Sequence, residues 1–176
     1  MKTNVALIGF MGTGKTSVGE ILALKLKKRF VSTDDLIVKL AKKPIPEIFK
    51  QYGESRFRDL EIQIVKKVSD EKNIVIDCGG GIVLNKINIV RLRKNAKIIL
   101  LTAPPEVVFG RISKDSEKRP LLNASDKIER IRKLLSCREH LYKESGDFEI
   151  DTKNLNVDQV VDKISEFLKK DSEWDG

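Results

Sequence analysis

A chain of 176 residues with 34 Lys and Arg against 26 Asp and Glu carries a formal charge of +8. That is length enough for one domain with a substantial core, and charge enough for an anionic small molecule or a nucleic acid. Two cysteines without CxxC spacing and a single histidine exclude a disulfide framework, a zinc site and a His-dependent triad.

Nothing approaches the roughly 18 consecutive apolar residues of a membrane span, and Gly12, Gly14 and Lys15 interrupt the first apolar stretch before it can serve as a signal peptide. The expectation is one domain over 1–176, cytoplasmic, with reduced thiols and no membrane contact. The basic blocks Lys25-Lys27-Lys28-Arg29 and Arg91-Arg93-Lys94 fall near predicted helix ends, where cations complement the macrodipole. No aromatic residues interleave with them, which argues against a nucleic-acid surface.

In chain order, the run 4–8 reads as a buried strand, and Val18, Ile21, Leu22 and Leu26 mark one face of a helix over 15–28. Between them stands Gly9-Phe10-Met11-Gly12-Thr13-Gly14-Lys15-Thr16, which fits G-x-x-x-x-G-K-[ST]. Such glycines let successive backbone amides point at one anion, and the helix start adds its positive end. Lys15 would reach the β/γ-phosphates of a nucleotide and Thr16 would hold Mg²⁺. The next run, 30–31, leads into Ser32-Thr33-Asp34-Asp35, carboxylates at a strand edge where open α/β sheets bind ligands. Helix capping is the alternative role there, for Asp35 above all.

A helix over 54–69 opens after Gly53 and carries the stripe Phe57, Leu60, Ile64, Val65 and Val68. Arg58 and Glu61 border it, either as a solvated i,i+3 pair or as an arginine held by Glu61 for a substrate carboxylate. Ile74-Val75-Ile76-Asp77 resembles a Walker B strand, whose carboxylate could hold Mg²⁺ or one of its waters. Gly79-Gly80-Gly81 follows, a costly sequence in backbone entropy that suits close approach of a ligand to the main chain. Cys78 reads as a small packing residue.

Helices over 86–94 and 105–112 flank a strand at 98–101. The polar, aperiodic stretch 113–125 reads as a mobile loop, from which Lys118 and Arg119 could close over a transferring phosphoryl group. From Asp126 a helix carries Ile128, Ile131, Leu135, Arg138 and Tyr142 at spacings of three and four. Arg138 thus occupies a seam position, where it either snorkels or meets a ligand anion. His140 lies outside the seam. A strand at 148–150 and a closing helix with Val157, Val160, Val161, Ile164 and Leu168 end the pattern, and 169–176 is expected to fray. Five apolar runs alternating with helices give an α/β fold with a parallel sheet.

Gly9 to Thr16, Thr33-Asp34, Gly53-Glu54 with Phe57-Arg58 and Glu61, Gly79-Gly80-Gly81, Arg119-Pro120-Leu121-Leu122, and Arg138 with Leu141-Tyr142 together resemble the shikimate kinase family in order and spacing. The resemblance implies a P-loop three-layer α/β/α fold like that of nucleoside monophosphate kinases, with a five-stranded parallel sheet of order 2-3-1-4-5. It implies an acceptor-binding region over 34–62 and a mobile lid over 112–124. It also implies a monomer that uses ATP and Mg²⁺ to phosphorylate the 3-hydroxyl of shikimate, in aromatic amino acid biosynthesis.

On the same footing, Asp34 binds the accepting hydroxyl and takes its proton, while Arg58, Arg138 and the backbone of Gly79, Gly80 and Gly81 hold shikimate. Lys15 and Arg119 neutralise the phosphates. ATP contacts fall to Gly12, Thr13, Gly14, Lys15, Thr16, Ser17, Arg111, Arg119 and the segment around Asn154. One departure stands out. The family usually carries Asp at the position of Ser32, and a small or hydroxyl residue at that of Asp77, so the metal's protein partners here become Thr16 and Asp77. Two other readings of the residues stay open: the same fold with another acceptor, such as gluconate or a nucleotide, and a non-enzymatic P-loop module that contacts nucleic acid or a partner protein.

Overall fold

Val5 and Leu7 pack on one face of a central sheet while Ala6 and Ile8 pack on the other, all fully buried, so the first strand sits between two apolar layers. Burial on both faces is what a parallel sheet with crossover helices imposes, and it explains continuous apolar runs where a half-exposed strand would alternate. A computed structural model describes residues 1–113 and 126–175. Lys118, Arg119 and nearly all of the stretch read as a lid lie outside the described residues.

The chain runs β1 (Asn4–Ile8), α1 (Lys15–Lys25), β2 (Arg29–Ser32), α2 (Thr33–Ala41), α3 (Ile45–Ser69), β3 (Ile74–Asp77), α4 (Lys86–Leu92), β4 (Ala96–Thr102), α5 (Pro105–Ile112), α6 (Lys127–Ser145), β5 (Phe148–Asp151) and α7 (Val157–Lys170). All strand pairs are parallel and their order is β2-β3-β1-β4-β5, as the resemblance implied. Helices α1 and α7 cover one face through Val18, Leu22, Val160, Val161, Ile164 and Leu168. The other face lies under α2 to α6, with Ile37, Phe57, Ile64, Ile89, Val108 and Ile131 in the shared core. Each fully buried Leu or Ile in these layers contributes about 1.5–3 kcal/mol.

Three expectations need correction. First, the carboxylates after β2 do stand at the sheet's C-terminal edge, but already inside a helix, because α2 starts at Thr33 and the Ser32 hydroxyl caps it by accepting from the Asp35 N–H at 3.2 Å. The capping role considered for Asp35 therefore belongs to Ser32. Second, α3 begins at Ile45, well before Gly53, because Pro46 sits in its first turn, where a missing N–H leaves no bond unmade. Gly53 breaks the helical geometry with φ 77° and ψ 174°, so the segment expected from Glu54 is the second of two joined helices.

Third, the C-terminal stretch is docked and not frayed. The Lys2 N–H donates to the Glu173 carbonyl at 2.7 Å and the Asp175 N–H to the Lys2 carbonyl at 3.0 Å. The Lys97 ammonium lies 2.8 Å from Asp171 and 2.7 Å from Glu173. A lysine at the buried start of β4 needs anions, and this stretch supplies them. Among the described residues no helix is long and apolar enough to cross a membrane.

Candidate active site

The C-terminal ends of β1 and β3 stand side by side, with Leu7 opposite Asp77, so the loops leaving them meet. From β1 the chain passes through the P-loop into α1, whose N-cap, Gly14, has φ 96°. A side chain there would be strained by that backbone alone, since nothing lies within 4 Å of a built Cβ. No side chain caps α1, which leaves its first amides to an anion.

A cavity of about 680 Å³ opens on this helix start and is lined by Gly12, Thr13, Gly14, Lys15, Thr16 and Ser17, together with Asp34, Asp77, Gly79, Gly80 and Arg111. Lys15 is largely buried, and its ammonium donates to the Phe10 carbonyl at 3.0 Å. The Thr16 hydroxyl donates to Asp77 Oδ2 at 2.6 Å. Burial raises the Asp77 carboxyl above its usual range, while Lys15 and the Thr16 hydrogen bond pull it back. Among the described residues no cluster of three or more His, Cys, Asp or Glu forms a metal cage. A hard oxygen pair beside a phosphate loop is nevertheless what Mg²⁺ uses, since it keeps most of its waters and takes one or two protein ligands.

Arg111 reaches from α5 to the Gly12 carbonyl at 3.3 Å, the Thr152 hydroxyl at 3.0 Å and the Thr152 carbonyl at 2.9 Å. It therefore ties the P-loop to the loop after β5. Asn154 itself is exposed and lines a separate shallow cleft beside β5; from that loop it is Thr152, Leu155 and Asn156 that line the phosphate cavity.

The glycine triplet joins this phosphate side to a second group of charges. A Cβ on Gly79 would stand 2.6 Å from Asp34 Oδ1 and 3.3 Å from Glu61 Oε1. One on Gly80 would stand 3.3 Å from the Met11 N, and one on Gly81 would fall 2.5 Å from the Arg58 Cζ. Each glycine thus makes room for a different neighbour: the Asp34 carboxylate, the P-loop backbone and the Arg58 guanidinium. The triplet's peptides are oriented as well. The Gly79 N–H donates to the Thr33 hydroxyl at 2.9 Å, and the Tyr142 hydroxyl donates to the Gly80 carbonyl.

Asp34 is the least satisfied group in this wall, for its Oδ1 is buried without a hydrogen-bond partner. Burial, then the charge of Asp77, push its carboxyl up, with Lys15 pulling the other way. Arg58 donates to both Glu61 oxygens at 3.1 and 3.0 Å and to Glu54 Oε1 at 2.9 and 3.2 Å. Glu61 is fully buried, and desolvation raises it to about 7 against the pull of Arg58. Arg138 is buried at the α6 seam, one turn before Tyr142. Two cations, two carboxylates and a phenol therefore surround the triplet, beside a cavity suited to polyphosphate.

The shikimate kinase family model matches residues 11–169 of the chain. The chain belongs to the shikimate kinase family. A shikimate kinase of Pelotomaculum thermopropionicum is 44% identical over 95% of this chain and 96% of its own length. One from Caldanaerobacter subterraneus is 48% identical over 92% of this chain and 93% of its own. Among solved structures, shikimate kinase from Acinetobacter baumannii in complex with shikimate superposes with a TM-score of 0.93 at 30% identity, covering 98% of this chain and 96% of that one. The enzyme from Aquifex aeolicus gives 0.80 at 32% identity, over 94% and 96%.

For a shikimate kinase, the structure brings Lys15, Thr16, Asp34, Asp77, Gly79 and Gly80 to one cavity, with Arg58 against Gly81 and Arg138 on the seam of α6; Arg119 lies outside the described residues. Thr33 and Tyr142 stand in the motifs read from the sequence, but the bonds by which their hydroxyls orient the triplet were not foreseen, nor was the clamp of Arg111 on Thr152. Tyr142 had a visible signal, because it sits four residues after Arg138 on one helix face. The bonds of Thr33 had none, since its partners are backbone atoms of β3 and the following loop.

Proposed function

We infer that this protein transfers the γ-phosphoryl group of ATP to the 3-hydroxyl of shikimate, giving shikimate 3-phosphate and ADP in aromatic amino acid biosynthesis. The observation that carries the reading is the glycine triplet, which touches the P-loop on one side and both Asp34 and Arg58 on the other. Phosphoryl transfer needs little covalent help from protein; it needs positioning and neutralised charge. Lys15 and the α1 amides take the phosphates. The desolvated Asp34 orients the accepting hydroxyl and takes its proton, a role suited to a carboxylate whose proton affinity burial has raised. Arg58, Arg138 and the triplet backbone hold the shikimate carboxylate and ring, and the stretch 34–62 forms that side of the pocket. Arg119 is assigned from the sequence alone as the cation that closes over the phosphates. Two free cysteines support a reducing, cytoplasmic setting, and a monomer is the assembly we propose.

Thr16 and Asp77 are the residues that would hold Mg²⁺ or its waters. Bound there, the ion supplies charge neutralisation at the phosphates. Ser32 pairs directly with Asp77 across β2 and β3, so a carboxylate at either position reaches the same edge of the sheet. This supports an exchange in which Asp77 serves the role usually given to an Asp at position 32. Asp77→Ser is expected to raise the Mg²⁺ concentration for half-maximal activity about tenfold or more, and Asp77→Ser/Ser32→Asp to restore it. Unchanged metal dependence in Asp77→Ser would sink the exchange.

The acceptor is tested by ADP release with shikimate, quinate, gluconate and nucleoside monophosphates. Shikimate is expected to be the preferred acceptor. Turnover of another acceptor without shikimate would overturn the substrate while leaving the fold in place, and ATP binding without any acceptor-dependent signal would favour a binding module.

A further inference from the structure

We propose that the Tyr142 hydroxyl is a positioning group for the acceptor, fixing the Gly80 peptide of the triplet. The assignment rests on the shikimate reading of the triplet. Tyr142 lies on α6 one turn beyond Arg138 and is 4% exposed. Its ring belongs to the core beneath the sheet's C-terminal edge, so packing alone accounts for the ring. Packing does not account for the oxygen, which donates to the Gly80 carbonyl.

A carbonyl only accepts, so the group that faces it must donate. The buried hydroxyl does; a phenylalanine would leave the Gly80 carbonyl without that bond. Burial pushes the phenol up to about 12, so it remains a donor throughout the physiological range.

Fixing one carbonyl also has a reach beyond it. The peptide plane between Gly80 and Gly81 is rigid, so the bond sets the direction of the Gly81 N–H on its far side. Gly81 in turn seats the Arg58 guanidinium. One phenol on α6 thereby aligns the triplet peptide and the surface under Arg58, both assigned to the acceptor.

Steady-state kinetics of Tyr142→Phe test this. The KM for shikimate is expected to rise about tenfold, with the KM for ATP unchanged and kcat within about twofold, the pattern of lost ground-state binding. Unchanged KM values beside a lowered melting temperature would show a purely structural hydroxyl and overturn the proposal, as would an equal rise in both KM values. If wild-type protein releases no ADP with shikimate, the substrate reading fails instead. Should Tyr142→Phe prove insoluble, 3-fluorotyrosine labelling of the Tyr52→Phe chain leaves one reporter on Tyr142. Its fluorine resonance is expected to shift with shikimate and to stay in place with a non-hydrolysable ATP analogue alone; a resonance indifferent to shikimate overturns the assignment.

Discussion

Gly81 illustrates how a residue without a side chain can govern one that has a long one. The Arg58 guanidinium occupies the space a methyl group would need, so in Gly81→Ala the planar fork must leave its seat against Glu54 and Glu61. The KM for shikimate is expected to rise about tenfold or more while that for ATP holds, because a misplaced fork loses its paired hydrogen bonds to a carboxylate; equal kinetics to wild type would refute the seat. Glu61 gives a second prediction at this scale. Burial moves its carboxyl from 4.5 to about 7, so between those values the folded chain binds a proton the unfolded chain has lost. Its contribution to stability is therefore greatest at low pH and declines as pH rises towards 7, flattening above. Melting temperatures of wild type and Glu61→Gln across that window check the sign: the wild type's position relative to the variant should worsen as pH rises, and a constant gap would contradict it. The site's charged members and its glycine triplet were legible in the sequence because each is an anomaly there: a lysine after glycines, an arginine in an apolar seam, three glycines after a strand. The hydroxyls of Thr33 and Tyr142 were not, since a threonine and a core tyrosine are ordinary until their partners across the fold are known.

At the level of elements, the five strands and their parallel arrangement followed from apolar runs, whereas α2 and the first part of α3 did not. Both lie where capping outweighs periodicity, with Ser32 closing the start of α2 and Pro46 fitting the first turn of α3. Gly53 then divides α3 just before Glu54, so the segment that carries Arg58 and Glu61 has its own orientation, set by one backbone angle. A built Cβ at Gly53 meets nothing within 4 Å, so the cost of Gly53→Ala is conformational alone, about 1–3 kcal/mol for holding a non-glycine residue in a region that is essentially glycine's own. In a chain of this length that corresponds to a melting temperature lower by roughly 2–12 °C. Gly53→Asn should lose as much, because asparagine's tolerance is for the left-handed helical region and not for ψ near 180°. Equal stability of all three proteins would mean that the break relaxes without penalty.

Across the whole molecule, function and fastening occupy opposite ends of the sheet. The phosphate and acceptor groups gather at the C-terminal ends of β1 and β3, while the stretch after α7 binds the N-terminal side through Lys2 and Lys97. Lys97 is 5% exposed, and its ammonium is stabilised there only because Asp171 and Glu173 face it. Removal of 171–176 should therefore lower the melting temperature by several degrees, yet leave kcat and both KM values at room temperature unchanged, because among the described residues no group of the site touches that stretch. Added salt should weaken the same fastening in the intact chain, since Glu173 is exposed and screened. The decisive comparison is Lys97→Met in the truncated chain. A thioether of similar length removes the unpaired buried charge, so part of the lost stability is expected to return, whereas the same substitution in the full-length chain takes the cation away from Asp171 and Glu173 and lowers stability. If Lys97→Met leaves the truncated protein no more stable, the stretch acts through its backbone bonds to Lys2 and not as a counterion to the sheet.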